Sequence, residues 1–184
     1  LLGGRFDKHN LINHLIFSPR ANLRFNATQN IHLRLTYAGG FRAPQTFDED
    51  LHTSMAGGER IKTYLAKNLK EERSNSLSLS ADMYYNFGNV QTNIWIETFY
   101  THLNNVFAQR GLNDHDENGI RILERFNANQ ATVWGMNIEG KAVYSKWISM
   151  QSGLTIQRSQ YKEAVEWDED APAEKKFLRT PNIY

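Results

Sequence analysis

The stretch Ser76 to Phe87 reads SLSLSADMYYNF, and its alternation decides the fold. Leu77, Leu79, Ala81, Met83, Tyr85 and Phe87 fall on one parity; Ser76, Ser78, Ser80, Asp82, Tyr84 and Asn86 fall on the other. Successive side chains of a strand point to opposite faces, so this segment is a strand with one apolar and one polar face. Gly88-Asn89 follows as a turn pair, and the alternation resumes with Thr92, Ile94, Ile96, Thr98 and Tyr100 against Gln91, Asn93, Trp95, Glu97 and Phe99. Together they form a hairpin.

The same design recurs on both sides. Upstream, Ala21, Leu23, Phe25 and Ala27 alternate with Asn22, Arg24, Asn26 and Thr28; after Thr28-Gln29-Asn30, Ile31, Leu33, Leu35 and Tyr37 alternate with His32, Arg34 and Thr36. Downstream, Trp134, Met136, Ile138, Ala142 and Tyr144 lead to a turn near Ser145-Lys146, and Ile148, Met150, Leu154 and Ile156 return. Asn137, Glu139, Lys141, Ser149, Gln151 and Thr155 make the polar face of that pair. Adding a strand end at Gly4 to His9 and a strand starting at Thr180 gives about seven strands, an all-β, antiparallel, up-and-down arrangement.

The connections carry as much information as the strands. Turns near Asn30, Asn89 and Lys146 are short, whereas the links Gly39 to about Lys70, about Asn104 to Asn127 and about Tyr161 to Lys176 are long. Loops beyond about 15 residues are uncommon inside a compact soluble domain. Short turns on one rim opposite long loops on the other are the pattern of an outer-membrane barrel, and the strands meet the roughly 9–11 residues such a span needs. Acidic residues gather in the long links: Asp48, Glu49, Asp50, Glu59, Asp114, Asp116, Glu117, Glu163, Glu166, Asp168, Glu169, Asp170 and Glu174. Within strands, Asp82, Glu97 and Glu139 sit on the polar face. Tyr37, Phe41, Tyr84, Tyr85, Phe87, Tyr100, Tyr144 and Trp147 lie toward strand ends, as an interfacial girdle would.

Composition sets the outer bounds. The 184 residues carry 21 Lys plus Arg against 20 Asp plus Glu, a net charge of +1, so the basic footprint of a nucleic-acid binder is missing. No apolar run approaches the roughly 20 residues of a membrane helix, and a mean hydropathy of −0.60 suits strands that are apolar only at alternate positions. Without cysteine, a disulfide framework and a thiolate metal site are both impossible. Leu1-Leu2-Gly3-Gly4-Arg5 lacks the make-up of a signal peptide, so an export signal is expected upstream. A soluble sandwich or lipocalin-like barrel, with the apolar faces forming a core, shares the alternation and stays open as the other reading.

At Ser18-Pro19-Arg20 and onward through Tyr37-Ala38-Gly39-Gly40-Phe41-Arg42-Ala43-Pro44 the chain resembles the TonB-dependent outer-membrane receptors. Leu69-Lys70-Glu71-Glu72-Arg73-Ser74 is similar to a strand-opening motif of that family, with Glu71 where proline is usual. Asn129 to Gly140, NQATVWGMNIEG, resembles a further family strand, with Asn137 departing from the common pattern, and Arg179-Thr180-Pro181 resembles the start of a later one. Four motifs in order span most of the chain. The resemblance implies that residues 1–184 are part of a roughly 22-stranded transmembrane β-barrel, with the plug, the early strands and the final strands outside this stretch. It implies an outer-membrane receptor that takes up a scarce nutrient (an iron chelate, haem, cobalamin or a glycan). The implied partners are membrane lipid, a small ligand at the extracellular loops, the TonB complex acting through the plug, and a surface lipoprotein. The alternative function is that of a soluble ligand- or carbohydrate-binding module.

Site chemistry is sparse. His9, His14, His32, His52, His102 and His115 show no metal-ligand spacing, and no nucleophile elbow or phosphate loop occurs, so neither an enzyme nor a cofactor is expected. Arg42 is expected to tether its loop, and Gly135 to leave room in the lumen. Asp114-His115-Asp116-Glu117-Asn118-Gly119 matches the opening half of a calcium loop, but Arg125 stands where the closing acid belongs, so an acidic solvated loop is the default. No substrate-binding residue is assigned.

Overall fold

The computed structural model describes residues 1–44, 61–115, 121–145, 147–165, 173–176 and 182–183, all strand, turn and extended segments. Eleven strands are present among them: β1 (Leu2–Asp7), β2 (Ile16–Asn26), β3 (Ile31–Arg42), β4 (Ile61–Leu65), β5 (Glu72–Phe87), β6 (Val90–Asn104), β7 (Phe107–His115), β8 (Arg121–Asn127), β9 (Gln130–Tyr144), β10 (Ile148–Val165) and β11 (Glu174–Lys176). Eight make one antiparallel sheet in the order β1-β2-β3-β5-β6-β9-β10-β11. This sheet is an open wall with two edges. The remaining three form a second sheet, β4-β8-β7.

The register turns the alternation into two continuous surfaces. Leu23, Leu35, Leu79, Thr98, Met136 and Ile156 are successive partners across β2, β3, β5, β6, β9 and β10. One level along, Phe25, Leu33, Ala81, Ile96, Ile138 and Leu154 do the same. The apolar face is therefore one belt, and it is bare: Leu23 is 66% exposed, Phe25 62% and Met150 70%. A soluble sandwich would cover such a face.

The opposite face is polar and laced across strands. Thr155 donates to Asn137 (2.9 Å), whose amide donates to Glu97 (3.1 Å), linking β10, β9 and β6. Asn93 and Tyr84 both donate to Asp82, at 2.6 and 2.8 Å. Tyr84 thus lies on the polar face, as its parity in the strand implies.

The short turns lie together on one rim. Phe87 pairs with Val90 across Gly88-Asn89, and Gly88 takes φ +60, the left-handed conformation favoured at the first position of such a turn. Ser145 at φ 52 opens the β9–β10 turn, and its N–H donates to Asn89 O at 2.9 Å, joining neighbouring turns. Lys146 lies outside the described residues.

Three expectations need correction. Residues 104–127 are not a bare link: β7 and β8 pair there, and Asp114 sits in β7. The link from Tyr161 to Lys176 is partly strand, because β10 runs to Val165 and β11 pairs with it, placing Glu163 and Glu174 on strands. The alternation fades at these positions because both faces are polar above the belt, while backbone pairing continues. Finally, a Cβ on Gly135 would collide with Ile156 O and lie 2.8 Å from Gln157 Cα, so the glycine admits the neighbouring strand rather than opening space in a lumen. The strand expected from Thr180 falls largely outside the described residues; Ile183 bridges Ile156.

Candidate functional site: the crown of the sheet

Buried apolar side chains gather at the end of the wall opposite the short turns. Val106, Ala108, Ala128, Ala131, Tyr161 and Val165 form one cluster, with Leu103 and Phe126 packed on it. Leu103, Ala131 and Tyr161 come from the polar face, so the second sheet rests its base on that side. Its strands belong to two different links. β4, from the β3–β5 connection, runs parallel to β8, from the β6–β9 connection, with Ile61 opposite Arg121 and Leu65 opposite Arg125.

Asn127 locks this joint. Its Oδ1 accepts from the Lys70 N–H at 2.7 Å, and its Nδ2 donates to Lys70 O at 3.0 Å and Asn105 O at 2.7 Å. Asn105 takes φ 53, a left-handed conformation that asparagine tolerates, and its side chain donates to Glu71 O at 3.3 Å. One amide thereby ties three connections. Replacing Asn127 with alanine is expected to weaken the crown by about 2–3 kcal/mol, from three bonds of about 1 kcal/mol each. Hydrogen exchange at Lys70 and in β8 measures this; unchanged protection there would refute the assignment.

Beside it lies a charged stack. The guanidiniums of Arg42 and Arg125 sit 4.9 and 4.7 Å from the Phe107 ring centroid, and Arg125 is only 2% exposed. Glu72 accepts from Arg42 at 3.3 Å and from the Phe107 N–H at 2.9 Å. Arg42 thus connects β3, β5 and the start of β7. Glu71 is buried too, 8% exposed, with His14 Nε2 at 3.0 Å and Arg73 Nε at 2.9 Å. His14 Nε2 also lies 3.1 Å from Arg73 Nη2, so the three side chains form one cluster.

Burial pushes the Glu71 pKa up, but hydrogen bonds from its own backbone amide, Arg73 and His14, with the Arg73 charge, outweigh burial and hold it below the ordinary value. A depressed folded-state pKa gives stability that is complete above the unfolded value and lost as pH falls through the folded one. The segment around His14 and Glu71 is therefore expected to loosen only in acid, as pH falls below the ordinary glutamate value. Exchange at His14 and Arg73 as a function of pH tests this, and Glu71→Gln should abolish the acid step.

The residues singled out from the sequence are scattered. Asp82 and Glu97 are engaged on the polar face, and Glu139 is exposed there. His32 packs 5.9 Å from the Tyr84 ring. His52 and residues 116–119 of the candidate calcium loop lie outside the described residues. Among the described residues, no three His, Asp or Glu come together to hold a metal. Asn127 and Phe107 carried no sequence signal, and Glu72 and Arg125 were noted only within motifs that said nothing of these contacts, because the roles arise from pairing between connections.

A family model described as "TonB dependent receptor-like, beta-barrel" matches residues 1–182. No curated protein sequence matches. Among solved structures, the siderophore receptor PirA from Pseudomonas aeruginosa superposes with a TM-score of 0.68 at 19% identity, over 87% of this chain and 31% of that one. The FrpB iron transporter from Neisseria meningitidis gives 0.54 for its F5-1 variant, at 14% identity over 80% of this chain and 21% of that one. Its F3-3 variant gives 0.53 at 14% identity, over 80% and 20%. The chain therefore spans less than a third of these proteins, and the likeness to them is one of fold.

Proposed function

Because the chain belongs to the TonB dependent receptor-like β-barrel family, a family of the bacterial outer membrane, we propose that residues 1–184 build part of the wall and outer crown of a receptor for TonB-dependent nutrient uptake. The observation that carries this reading is the bare apolar belt backed by a polar inner face. Lipid covers the belt, the polar face lines the interior, and the crown belongs to the extracellular end. The plug and the remaining strands lie outside this stretch, and the TonB complex acts through that plug.

An iron chelate is the first candidate cargo, since the solved proteins of like fold carry the descriptions siderophore receptor and iron transporter. Haem, cobalamin and glycans follow. A surface lipoprotein that delivers cargo to the crown completes the proposed set of partners. The protein is a receptor and performs no bond chemistry on its cargo.

Uptake of radioiron-labelled ferric siderophores by cells lacking the complete gene tests this. The expected result is loss of accumulation of at least one chelate, restored by the intact gene and abolished by a protonophore. Unchanged iron uptake together with a growth defect on cobalamin or a glycan would redirect the cargo assignment.

A further inference from the structure

Charge is sorted by sector on the polar face of the wall. On β1, β2 and β3 that face carries Arg5, Arg20, Arg24, Arg34 and Arg42, with Asp7 the one acid on those strands. On β5, β6 and β9 it carries Glu72, Asp82, Glu97 and Glu139, with Lys141 the one cation. Ser74, Ser76, Ser78 and Ser80 of β5 lie between the two sectors.

Two of the five arginines have carboxylates: Arg5 binds Asp7 at 2.7 Å and Arg42 binds Glu72 at 3.3 Å. Arg20, Arg24 and Arg34 are exposed and form no ion pair among the described residues. Arg24 and Arg34 stand directly opposite each other across β2 and β3, and like charges so placed destabilise a ladder. Arg24 Nε turns along its own strand to Asn26 Oδ1, 3.0 Å away. Ser80 faces Arg34 from β5, while Asp82 stands diagonal to it and accepts from Asn93 and Tyr84 instead. The sector therefore holds three guanidiniums without a counter-charge.

These arginines also descend through the wall. Arg42 is at the crown, Arg20 lies lower, opposite Ala38, and Arg24 and Arg34 lie one level above the Asn26–His32 pair beside the short turn. Arg20 and Arg24 are four residues apart, about 13 Å along an extended strand. A fixed anchor for a packed segment needs counter-charge at one level. Uncompensated cations at successive levels from the outer end to the inner end suit an anion that travels. A guanidinium presents a planar fork of donors that matches paired oxyanion oxygens.

We propose that Arg20, Arg24 and Arg34 form an anion track on the inner wall, and that the cargo is a negatively charged chelate bearing carboxylate or catecholate oxygens. Uncharged cargo gains nothing from such a track. The inference rests on the uptake reading above and sharpens its substrate class.

Cells lacking the complete gene, with and without the intact gene restored, are given radiolabelled ferric citrate, a ferric triscatecholate, haem, cationic ferrioxamine B, cobalamin or a neutral oligosaccharide. Gene-dependent accumulation is expected for an anionic member of this set. Dependence confined to ferrioxamine B, cobalamin or the oligosaccharide overturns the inference and leaves the uptake reading intact. Dependence for none of them overturns both. The combined R24Q and R34Q variant should slow initial uptake of the anionic cargo about tenfold, while its binding to chilled cells stays within about twofold of wild type. R20Q alone should slow uptake in part, which keeps the test sound if the double variant assembles poorly. K141Q, which removes a cation from the same face of β9, should change neither readout. Because the double variant relieves a like-charge pair, its thermal unfolding midpoint should hold or rise. An unchanged uptake rate overturns the track. A lowered midpoint with leakage of a large antibiotic into the cell also overturns it, because the arginines then anchor the plug.

Discussion

Replacing Gly135 with alanine should loosen the joint between β9 and β10, at a cost of about 1–3 kcal/mol, with valine costing more. The added carbon would collide with Ile156 O and come within 2.8 Å of Gln157 Cα. Both are backbone atoms of the adjacent strand, so no rotamer change relieves the contact; the strands must part around the fourteen residue pairs that run from Ile148–Tyr144 to Tyr161–Ala131. Gly140, five residues along the same strand, faces open space, and a carbon added there would meet nothing within 4 Å. Gly140→Ala is accordingly the matched control and should be close to neutral. Urea unfolding of the complete receptor in lipid vesicles, followed by the heat-dependent shift in electrophoretic mobility, distinguishes them. Equal midpoints for the two variants would refute the close approach.

The second large effect belongs to the belt. Ile138 lies midway along β9, flanked by Ile96 and Leu154 on the outward face. Ile138→Arg should destabilise the inserted barrel by about 2–4 kcal/mol, because a guanidinium near the midplane faces hydrocarbon. Gln151→Arg, on the polar face of β10, places the same charge in a polar setting, opposite Lys141 and diagonal to Glu139, and should cost clearly less than the change at Ile138. The pair of variants measures sidedness directly. If both were equally harmful, or the Ile138 variant harmless, the belt would not face lipid.

The sequence made these two faces legible because period two survives wherever one side meets hydrocarbon and the other water. Leu77, Leu79 and Ala81 alternate with serines for that reason, and the register confirms that their partners on β3 and β6 share their face. Above the belt, solvent reaches both sides. Arg73 and Ser74, or Lys162 and Glu163, then give no alternation even though the ladder continues through them, so the end of β10 was hidden and the start of β5 was marked only by the resembled motif at Leu69 to Ser74. The β7–β8 hairpin was hidden for the same reason, with Gly111 and Arg110 interrupting any pattern.

The crown was less legible still. Arg42 stood out through a motif, but its place over Phe107 beside Glu72 depends on a connection more than sixty residues downstream. Glu71 drew notice as a departure from the usual proline, and the structure supplies a reason: it anchors His14 and Arg73 from a buried position, which a proline could not do. Asn127 had no signal at all. Its partners, Lys70 and Asn105, are assembled by the fold and not by any local spacing.

The parallel pairing of β4 with β8 also sets an order in time. Ile61 and Arg121 have β5, β6 and β7 between them, so their contact closes a long loop unless those strands have paired first. Neighbouring antiparallel hairpins close over short loops, whereas this contact spans sixty positions and forms slowly by comparison. The wall can therefore pair while its crown is still unfastened, and on the proposed orientation that late fastening falls at the surface the cell presents to its surroundings.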